Sequence, residues 1–134
     1  LINAFEEQNK SLNDSTILLL GVSYKPDVKD IQISPAENII EKLKQLNVNI
    51  KIYDPYFKSE NIFEIDTESN LIDAVSNCDG IILVTSHKEF HNIDPKFLKS
   101  KLKSPIFIDS KCVLDQDESI KAGLIYRGLG RGKL

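Results

Sequence analysis

Short apolar runs separated by polar turns recur along the chain, and they predict buried β-strands. Most of these runs are continuously apolar, which is typical of strands covered on both faces of a parallel sheet. The run before Asp54-Pro55 instead alternates, with Val48, Ile50 and Ile52 on one side. The predicted strands are residues 16–20, 48–53, 80–85, 105–109 and, as a short last strand, 124–127.

Between these runs, apolar residues recur at helical spacing behind polar residues that favour helix starts. The clearest start is Ser34-Pro35, with Ser34 as N-cap, Pro35 at the first helical position and Glu37 in the first turn. Asp94 is a second predicted N-cap, before the clearest part of a longer helical segment. The predicted helices are residues 1–12, 35–46, 71–77, 87–102 and 115–122, whereas residues 56–68 are predicted to be irregular or to hold a short element.

This alternation of strands and helices predicts an α/β fold, a three-layer α/β/α Rossmann-like sandwich with a mostly parallel sheet. We expect one domain over residues 15–134, and we expect residues 1–14 to be the end of a helix from an upstream domain absent from this chain. Ligands of such folds bind beyond the carboxyl ends of the strands. Those ends present the polar groups Ser23-Tyr24-Lys25, Asp54, Thr85-Ser86-His87 and Asp109-Ser110-Lys111.

The composition excludes a few classes of function. The chain has 134 residues, 41% of them hydrophobic, and a net charge of −3, which argues against a nucleic-acid partner. No apolar run approaches the ~20 residues of a transmembrane helix and no signal peptide is visible, so we expect no membrane partner and a cytoplasmic location. Cys78 and Cys112 lack metal-ligand and CxxC spacing and are expected to be reduced, partly buried thiols.

Lys25 is the first candidate for chemistry because it closely follows the first predicted strand. An ammonium group there reaches a phosphate or a substrate carbonyl, and one such charge-assisted hydrogen bond contributes about 1.5–3 kcal/mol. A solvated surface lysine is the alternative. Tyr24 offers a ring for stacking and a hydroxyl for a hydrogen bond, or else packs on the sheet edge. Asp30 and Ser34 are expected to shape the turn and to cap the next helix.

Other polar features are predicted to be structural. Asp54 would bind a ribose in a dinucleotide fold, but the turn Gly21–Pro26 lacks the pattern G-x-G-x-x-G, so a strand stop is favoured. His87 and His91 lie four residues apart without a third ligand, which favours surface or loop histidines, and no metal is expected. The segment Gly128–Gly132 is predicted to be a flexible tail. No nucleophile motif is present, so no catalytic residue is predicted.

Six residues in the turn after the first strand are spaced as in a known family: Gly21, Tyr24, Lys25, Asp30, Ser34 and Pro35. Their pattern resembles G-x-[ASTF]-[YF]-K-x-x-x-x-D-x-R-x-S-P in the C-terminal domain of the UDP-glucose/GDP-mannose dehydrogenase family. Further likenesses follow in the family's order, and together they cover about residues 16–130. They are Asp54-Pro55, the strand from Asp79 to Thr85, the segment from Ile108 to Leu114 and the ending from Gly123 to Gly130.

The resemblance implies part of an NAD-dependent UDP-sugar 6-dehydrogenase, which oxidises a sugar C6 alcohol to a carboxylate in two steps and serves polysaccharide biosynthesis. It implies that the domain holding NAD, the thioester-forming cysteine and a central domain that forms a homodimer all lie upstream of this chain. The chain alone is therefore expected to be inactive.

The resemblance also assigns roles to four residues. Tyr24 and Lys25 would match residues that contact the UDP part of the substrate. Lys111 takes the place of an arginine that reaches the substrate across a domain or subunit boundary. Gln32 takes the place of an arginine with a role toward the cofactor diphosphate, and it has neither the charge nor the planar fork of donors.

Two alternatives remain open at this stage. One is a stand-alone regulatory module of receiver type, with Asp54, Thr85 and Lys111 at its strand ends, although a receiver needs an acidic pair where this chain has Lys25. The other is a degenerate structural domain without ligand binding, which Gln32 suggests. Within the UDP-sugar interpretation, the order Tyr-Lys-Pro-Asp-Val in the turn favours UDP-N-acetylmannosamine or UDP-N-acetylglucosamine over UDP-glucose.

Overall fold

The computed structural model describes residues 1–128, in which helices and strands alternate. Along the chain the elements are α1 (Ile2–Glu7), β1 (Thr16–Leu20), α2 (Pro35–Gln45), β2 (Asn49–Tyr53), β3 (Asn61–Ile62), β4 (Ile65–Asp66), α3 (Leu71–Val75), β5 (Gly80–Leu83), a 3-10 helix (Lys88–Asn92), α4 (Pro95–Lys101), β6 (Ile106–Asp109), α5 (Gln116–Lys121) and β7 (Ile125–Gly128).

Five strands form a parallel sheet in the order β2-β1-β5-β6-β7. The chain runs from β1 to β2 on one side, and then crosses to β5 on the other side of β1. In parallel sheets, ligands bind beyond the carboxyl ends of the strands at such a switch of direction. The topology therefore selects the ends of β1 and β5 as the place to look for a site.

Successive strand residues point into two hydrophobic clusters, one on each face of the sheet. Because both faces are covered, the central strands β1 and β5 are apolar at nearly every position, whereas the edge strand β2 alternates. One cluster includes α1 and α2, and its members include Phe5, Ile17, Leu19, Ile40, Leu43 and Ile52. The other includes α3 and α4, and its members include Leu18, Leu20, Ala74, Ile81, Leu98 and Phe107. The predicted three-layer α/β/α sandwich is confirmed.

The helix starts follow the capping residues in the sequence. The Ser34 hydroxyl accepts a hydrogen bond from the Ala36 amide at 3.1 Å, with Pro35 at the first helical position. The Asp94 and Asp115 carboxylates cap α4 and α5 in the same way, at 2.9 and 2.8 Å from amide nitrogens. Each cap satisfies an amide that the first turn of a helix leaves without a partner.

A predicted long helix is interrupted, whereas residues 56–68 hold a short element, as one of the two alternatives expected. Residues 87–102 form a 3-10 helix and then α4, and the chain between them is extended at Ile93. Residues 56–68 contain a small hairpin of β3 and β4, whose turn places Phe63 and Glu64 at φ of 52° and 67°. Hairpin turns with this conformation favour Asn and Gly, and their absence hid the hairpin in the sequence.

No helix between residues 1 and 128 is both long and apolar enough to cross a membrane. The predicted flexible tail and the end of the family likeness reach past Gly128, and those parts lie outside the described residues.

Candidate functional site

Tyr24 and Lys25 lie just beyond the carboxyl end of β1, at the switch of direction between β1 and β5. Tyr24 is 48% exposed, and Lys25 is exposed as well. Lys111 is exposed in the turn after β6, two strands away, or about 10 Å at the usual strand spacing. Within the part of the chain that the structure describes, neither lysine forms an ion pair. Both are therefore available to an anion.

The β1–α2 loop, residues 24–33, is fixed by its own hydrogen bonds. The Tyr24 amide donates to the carbonyl of Asp30, and the Gln32 amide donates to the Asp30 carboxylate at 2.9 Å. The side chain of Gln32 is exposed. Ile33 is 88% exposed and has a φ of 57°. A β-branched residue in this left-handed region costs about 1 kcal/mol or more, and such strain is typical of functional loops.

The start of α2 is tied to the end of β1. The Ser34 hydroxyl donates to the carbonyl of Val22 at 2.6 Å while it caps the helix. Gly21, with a φ of 89°, lies so close to the segment after β5 that an added Cβ would be 2.6 Å from the Thr85 Cβ. Only glycine meets both conditions, so the first residue of the family pattern is needed for the turn itself.

Asp54 is a fully buried carboxylate at the end of β2. One oxygen accepts hydrogen bonds from the Val22 amide at 2.8 Å, the His87 imidazole at 2.9 Å, and more weakly from Ser23. The other oxygen accepts from the Tyr56 amide at 2.8 Å. Burial alone raises the pKa of Asp54, but the hydrogen bonds from the imidazole and two backbone amides outweigh it and hold the pKa below its ordinary value. Asp54 is thus more than the predicted strand stop.

His87 lies in the loop after β5, as one of the two predicted alternatives had it, but its side chain is fully buried, so the surface alternative is wrong for this residue. Its Nε2 lies 2.9 Å from an Asp54 carboxylate oxygen, and its Nδ1 accepts the Asp27 amide at 2.9 Å. Burial is tolerated because both ring nitrogens have polar partners. His91 is exposed in the 3-10 helix.

A second buried carboxylate, Asp109, lies at the end of β6. It accepts hydrogen bonds from the Tyr126 hydroxyl at 2.8 Å and from the Leu114 amide at 2.9 Å. Its other oxygen accepts the Lys111 amide at 3.2 Å. Asp109 therefore fixes the backbone of the turn that carries Lys111.

Cys78 and Cys112 are not joined by a disulfide. Cys78 is buried, and burial raises the pKa of its thiol to about 11. Cys112 is partly exposed in the turn after β6. A thiol with a raised pKa is a poor nucleophile, so Cys78 is a core residue.

Sequence reasoning missed the roles of Asp54, His87 and Asp109. Their positions gave one usable signal, since each lies at or just beyond the carboxyl end of a predicted strand, where parallel strands bring them to one edge. The exposed residues at this edge include the cations Lys25 and Lys111 and the aromatic Tyr24, beside the carboxylates of Asp27 and Asp30. The buried polar residues hold the loops in place. Such an edge suits an anionic ligand with a ring system. Among residues 1–128, no group of three or more His, Cys, Asp or Glu side chains is placed to hold a metal ion.

Comparisons with known proteins agree with the predicted resemblance. Residues 18–116 match the model of the UDP-glucose/GDP-mannose dehydrogenase family, UDP binding domain. A UDP-N-acetyl-D-mannosamine dehydrogenase of Methanococcus vannielii is 32% identical over 130 residues, which cover 95% of this chain and 30% of the relative. UDP-glucose 6-dehydrogenase TuaD of Bacillus subtilis is 30% identical over 125 residues, covering 90% and 27%. The chain thus spans about 30% of the length of these relatives.

Solved structures of dehydrogenases also superpose on this chain. A UDP-D-ManNAc dehydrogenase from Pyrococcus horikoshii superposes with a TM-score of 0.85 at 27% identity, over 99% of this chain and 29% of that one. An NDP-N-acetyl-D-galactosaminuronic acid dehydrogenase from Methanosarcina mazei Go1 superposes with a TM-score of 0.89 at 25% identity, over 97% and 27%. With the family pattern on the loop after β1 and the family model matching most of the chain, this chain belongs to the UDP-glucose/GDP-mannose dehydrogenase family, in the part described as its UDP binding domain.

Proposed function

We propose that this chain is the nucleotide-sugar-binding part of an NAD-dependent UDP-sugar 6-dehydrogenase, with the UDP moiety bound at the carboxyl edge of the sheet. The observation that carries the proposal is the position of Lys25, whose exposed ammonium group follows β1 at the switch of direction and has no ion-pair partner among the described residues. An unpaired cation at this place in a parallel sheet suits a diphosphate.

Each proposed contact has a separate physical basis. Lys25 neutralises diphosphate charge, which contributes about 1.5–3 kcal/mol, and it takes part in no covalent step. Tyr24 presents a half-exposed ring that can stack on the base or the sugar. Lys111 supplies a second cation, reaching the substrate across a domain or subunit boundary. Lysine keeps the charge of the family's arginine but binds through one point instead of a fork.

The buried network beneath the edge supports binding by holding these side chains in advance. The backbone on both sides of Lys25 is fixed, through Asp54 before it and through the Asp30 turn after it. A loop ordered before binding loses less conformational entropy when the ligand arrives. The strained backbone of Ile33 agrees with a loop whose shape serves a ligand.

The described residues do not suit NAD. The turn after β1 places Ser23 and Pro26 where a dinucleotide site has its second and third glycines. Asp54, which would bind a ribose, is fully buried with both oxygens engaged. Gln32 is exposed and uncharged. We therefore assign no contact with NAD to this part of the enzyme and place the cofactor in another domain.

The sugar and the assembly belong to the same proposal. Relatives act on UDP-N-acetyl-D-mannosamine or on UDP-glucose by their names. The turn from Tyr24 to Val28 favours an N-acetylhexosamine. We further propose a cytoplasmic homodimer, formed through a central domain outside this chain, that supplies a uronic acid for polysaccharide synthesis.

The burial of Asp54 argues against the alternative of a receiver-type regulatory module. Asp54 would be its phosphate acceptor, yet this carboxylate is fully buried and both of its oxygens accept hydrogen bonds. No acidic pair follows β1, where the chain reads Gly21-Val-Ser-Tyr-Lys25. The degenerate-domain alternative stays open to test, because Gln32 and Lys111 depart from the family pattern.

The test is a titration of the 134-residue chain with UDP, UDP-glucose and UDP-N-acetylhexosamines. We expect weak binding that Lys25→Ala weakens by about tenfold or more, as the loss of one charge-assisted hydrogen bond predicts. Lys103→Ala is the matched control, since Lys103 is an exposed lysine before the amino end of β6. Equal affinities for both variants, or no binding by the unmodified chain, would overturn the proposal. We expect no NADH formation from this chain alone, and measurable turnover would contradict the assignment of chemistry to other domains.

A further inference from the structure

The imidazole of His87 connects three segments at the carboxyl edge. Its ring is fully buried, with the Tyr56 ring centroid at 4.8 Å and the Phe90 centroid at 5.6 Å. Nε2 lies 2.9 Å from Asp54, and Nδ1 lies 2.9 Å from the amide nitrogen of Asp27. Neither nitrogen faces water, so the role of each is set by its partner.

Those partners determine the tautomer. A backbone amide can only donate, so Nδ1 must accept the hydrogen bond from Asp27 with a free lone pair. Nε2 then carries the proton and donates it to the Asp54 carboxylate, which only accepts. The ring is thus a neutral bridge, with its donor on the end of β2 and its acceptor on the β1–α2 loop.

The hydrogen bond between His87 and Asp27 holds the β1–α2 loop close to Lys25. Asp27 lies two residues after Lys25 and has a φ of 61°. Besides the bond to His87, its carboxylate accepts the Lys88 amide at 2.8 Å. On the other side of Lys25, the Ser23 carbonyl accepts the Thr85 hydroxyl at 2.9 Å. The tripeptide Tyr24-Lys25-Pro26 is therefore clamped at both ends to the segment that follows β5.

We propose that His87 is a positioning residue for nucleotide binding: its Nδ1 holds Asp27 so that the loop presents Tyr24 and Lys25 to the diphosphate. This inference rests on the proposed function, and it adds a residue that touches no ligand. It predicts that the acceptor at Nδ1 matters for affinity, while the donor at Nε2 matters mainly for the stability of the fold.

Two substitutions separate these roles because each amide copies one ring nitrogen. The His87→Gln side chain places its NH2 group near the position of Nε2 and keeps a donor for Asp54, but it has no acceptor at Nδ1. The His87→Asn side chain places its oxygen near Nδ1 and keeps the acceptor for the Asp27 amide, but it cannot reach Asp54. His91→Gln is the control, because His91 is exposed four residues further along.

Amide hydrogen exchange at Asp27, thermal unfolding and UDP affinity are measured on the 134-residue chain and these variants. We expect His87→Gln to exchange the Asp27 amide about fivefold to tenfold faster and to bind UDP weaker by a similar factor. His87→Asn should keep Asp27 protected and bind UDP more tightly than His87→Gln, although it unfolds at a lower temperature. His91→Gln should behave like the unmodified chain.

Unchanged Asp27 exchange in His87→Gln would overturn the inference, as would equal loss of UDP affinity in both variants. Should both variants fail to fold, NMR of the imidazole nitrogens in the unmodified chain decides: a proton on Nδ1 contradicts the inference, and a free lone pair there supports it. Faster Asp27 exchange in His87→Gln, with no UDP binding by the unmodified chain, would support the loop contact and overturn the proposed function. The two failures are therefore distinguishable.

Discussion

Replacing Asp54 by asparagine removes the charge at the centre of the buried network and turns one acceptor oxygen into a donor. If the new NH2 group faced Val22 and His87, it would oppose several donors. Facing the Tyr56 amide, it opposes only one, so this orientation is the less costly. The carbonyl oxygen then keeps the remaining contacts, but without a negative charge.

The cost follows from this better orientation. One buried donor without a partner costs about 1–3 kcal/mol, and the loss of charge on the bonds from Val22 and His87 costs about 1 kcal/mol each. Relief from burying a charge offsets part of this, but the depressed pKa of Asp54 shows that the hydrogen bonds outweigh burial. We expect a net loss of about 3–4 kcal/mol, which lowers the melting temperature by roughly 10 °C in a domain of this size.

Urea unfolding near neutral pH measures this loss, with Asp117→Asn as control because Asp117 is exposed in the first turn of α5. The control should stay within about 0.5 kcal/mol of the unmodified chain. If Asp54→Asn loses less than about 1 kcal/mol, the carboxylate does not hold the strand ends together and the reasoning fails.

The remaining predictions use the same chain. The pKa of Asp54 is lower in the folded chain, so its contribution to stability is complete above the ordinary aspartate pKa of about 4 and is lost as pH falls through the lower folded-state pKa. The difference in unfolding free energy between the unmodified chain and Asp54→Asn should therefore shrink on acidification. A difference that grows as pH falls would contradict this prediction. Gly21→Ala should destabilise the fold by about 2–4 kcal/mol in urea unfolding, from a left-handed φ plus a collision with Thr85 after β5, and an unchanged midpoint would refute the close approach. In thiol labelling at mildly alkaline pH, Cys112 should react first and Cys78 only on unfolding, since burial raises the pKa of Cys78 to about 11. Equal labelling rates for the two cysteines would contradict this and show that the core around Cys78 opens.

Local sequence patterns predicted most of the helices and strands, because apolar periodicity and helix capping act between residues close together in the chain. The strand from Thr16 to Leu20 was predicted with the bounds that the structure shows, since the four apolar residues after Thr16 are typical of a strand covered on both faces. Ser34 and Asp94 marked helix starts because a cap acts within three residues of itself. The family pattern then selected the loop after β1.

The roles of His87 and Asp54 were not predictable in the same way. A histidine is buried here because two chain segments far from it in sequence supply its partners, and the sequence does not show that they meet. The turn at Phe63-Glu64 likewise depends on packing that overrides local preference, whereas the break at Ile93 follows the local helix start Asp94-Pro95.

The most direct test of the central claim is a map of where UDP binds, from changes in backbone amide NMR shifts as UDP is added to this chain. The account predicts the largest shift changes at Tyr24, Lys25 and Lys111. Lys103, which lies before the amino end of β6 at the opposite edge of the sheet, should change little. Changes concentrated away from the carboxyl ends of β1 and β6, or no changes up to about 10 mM UDP, would contradict it.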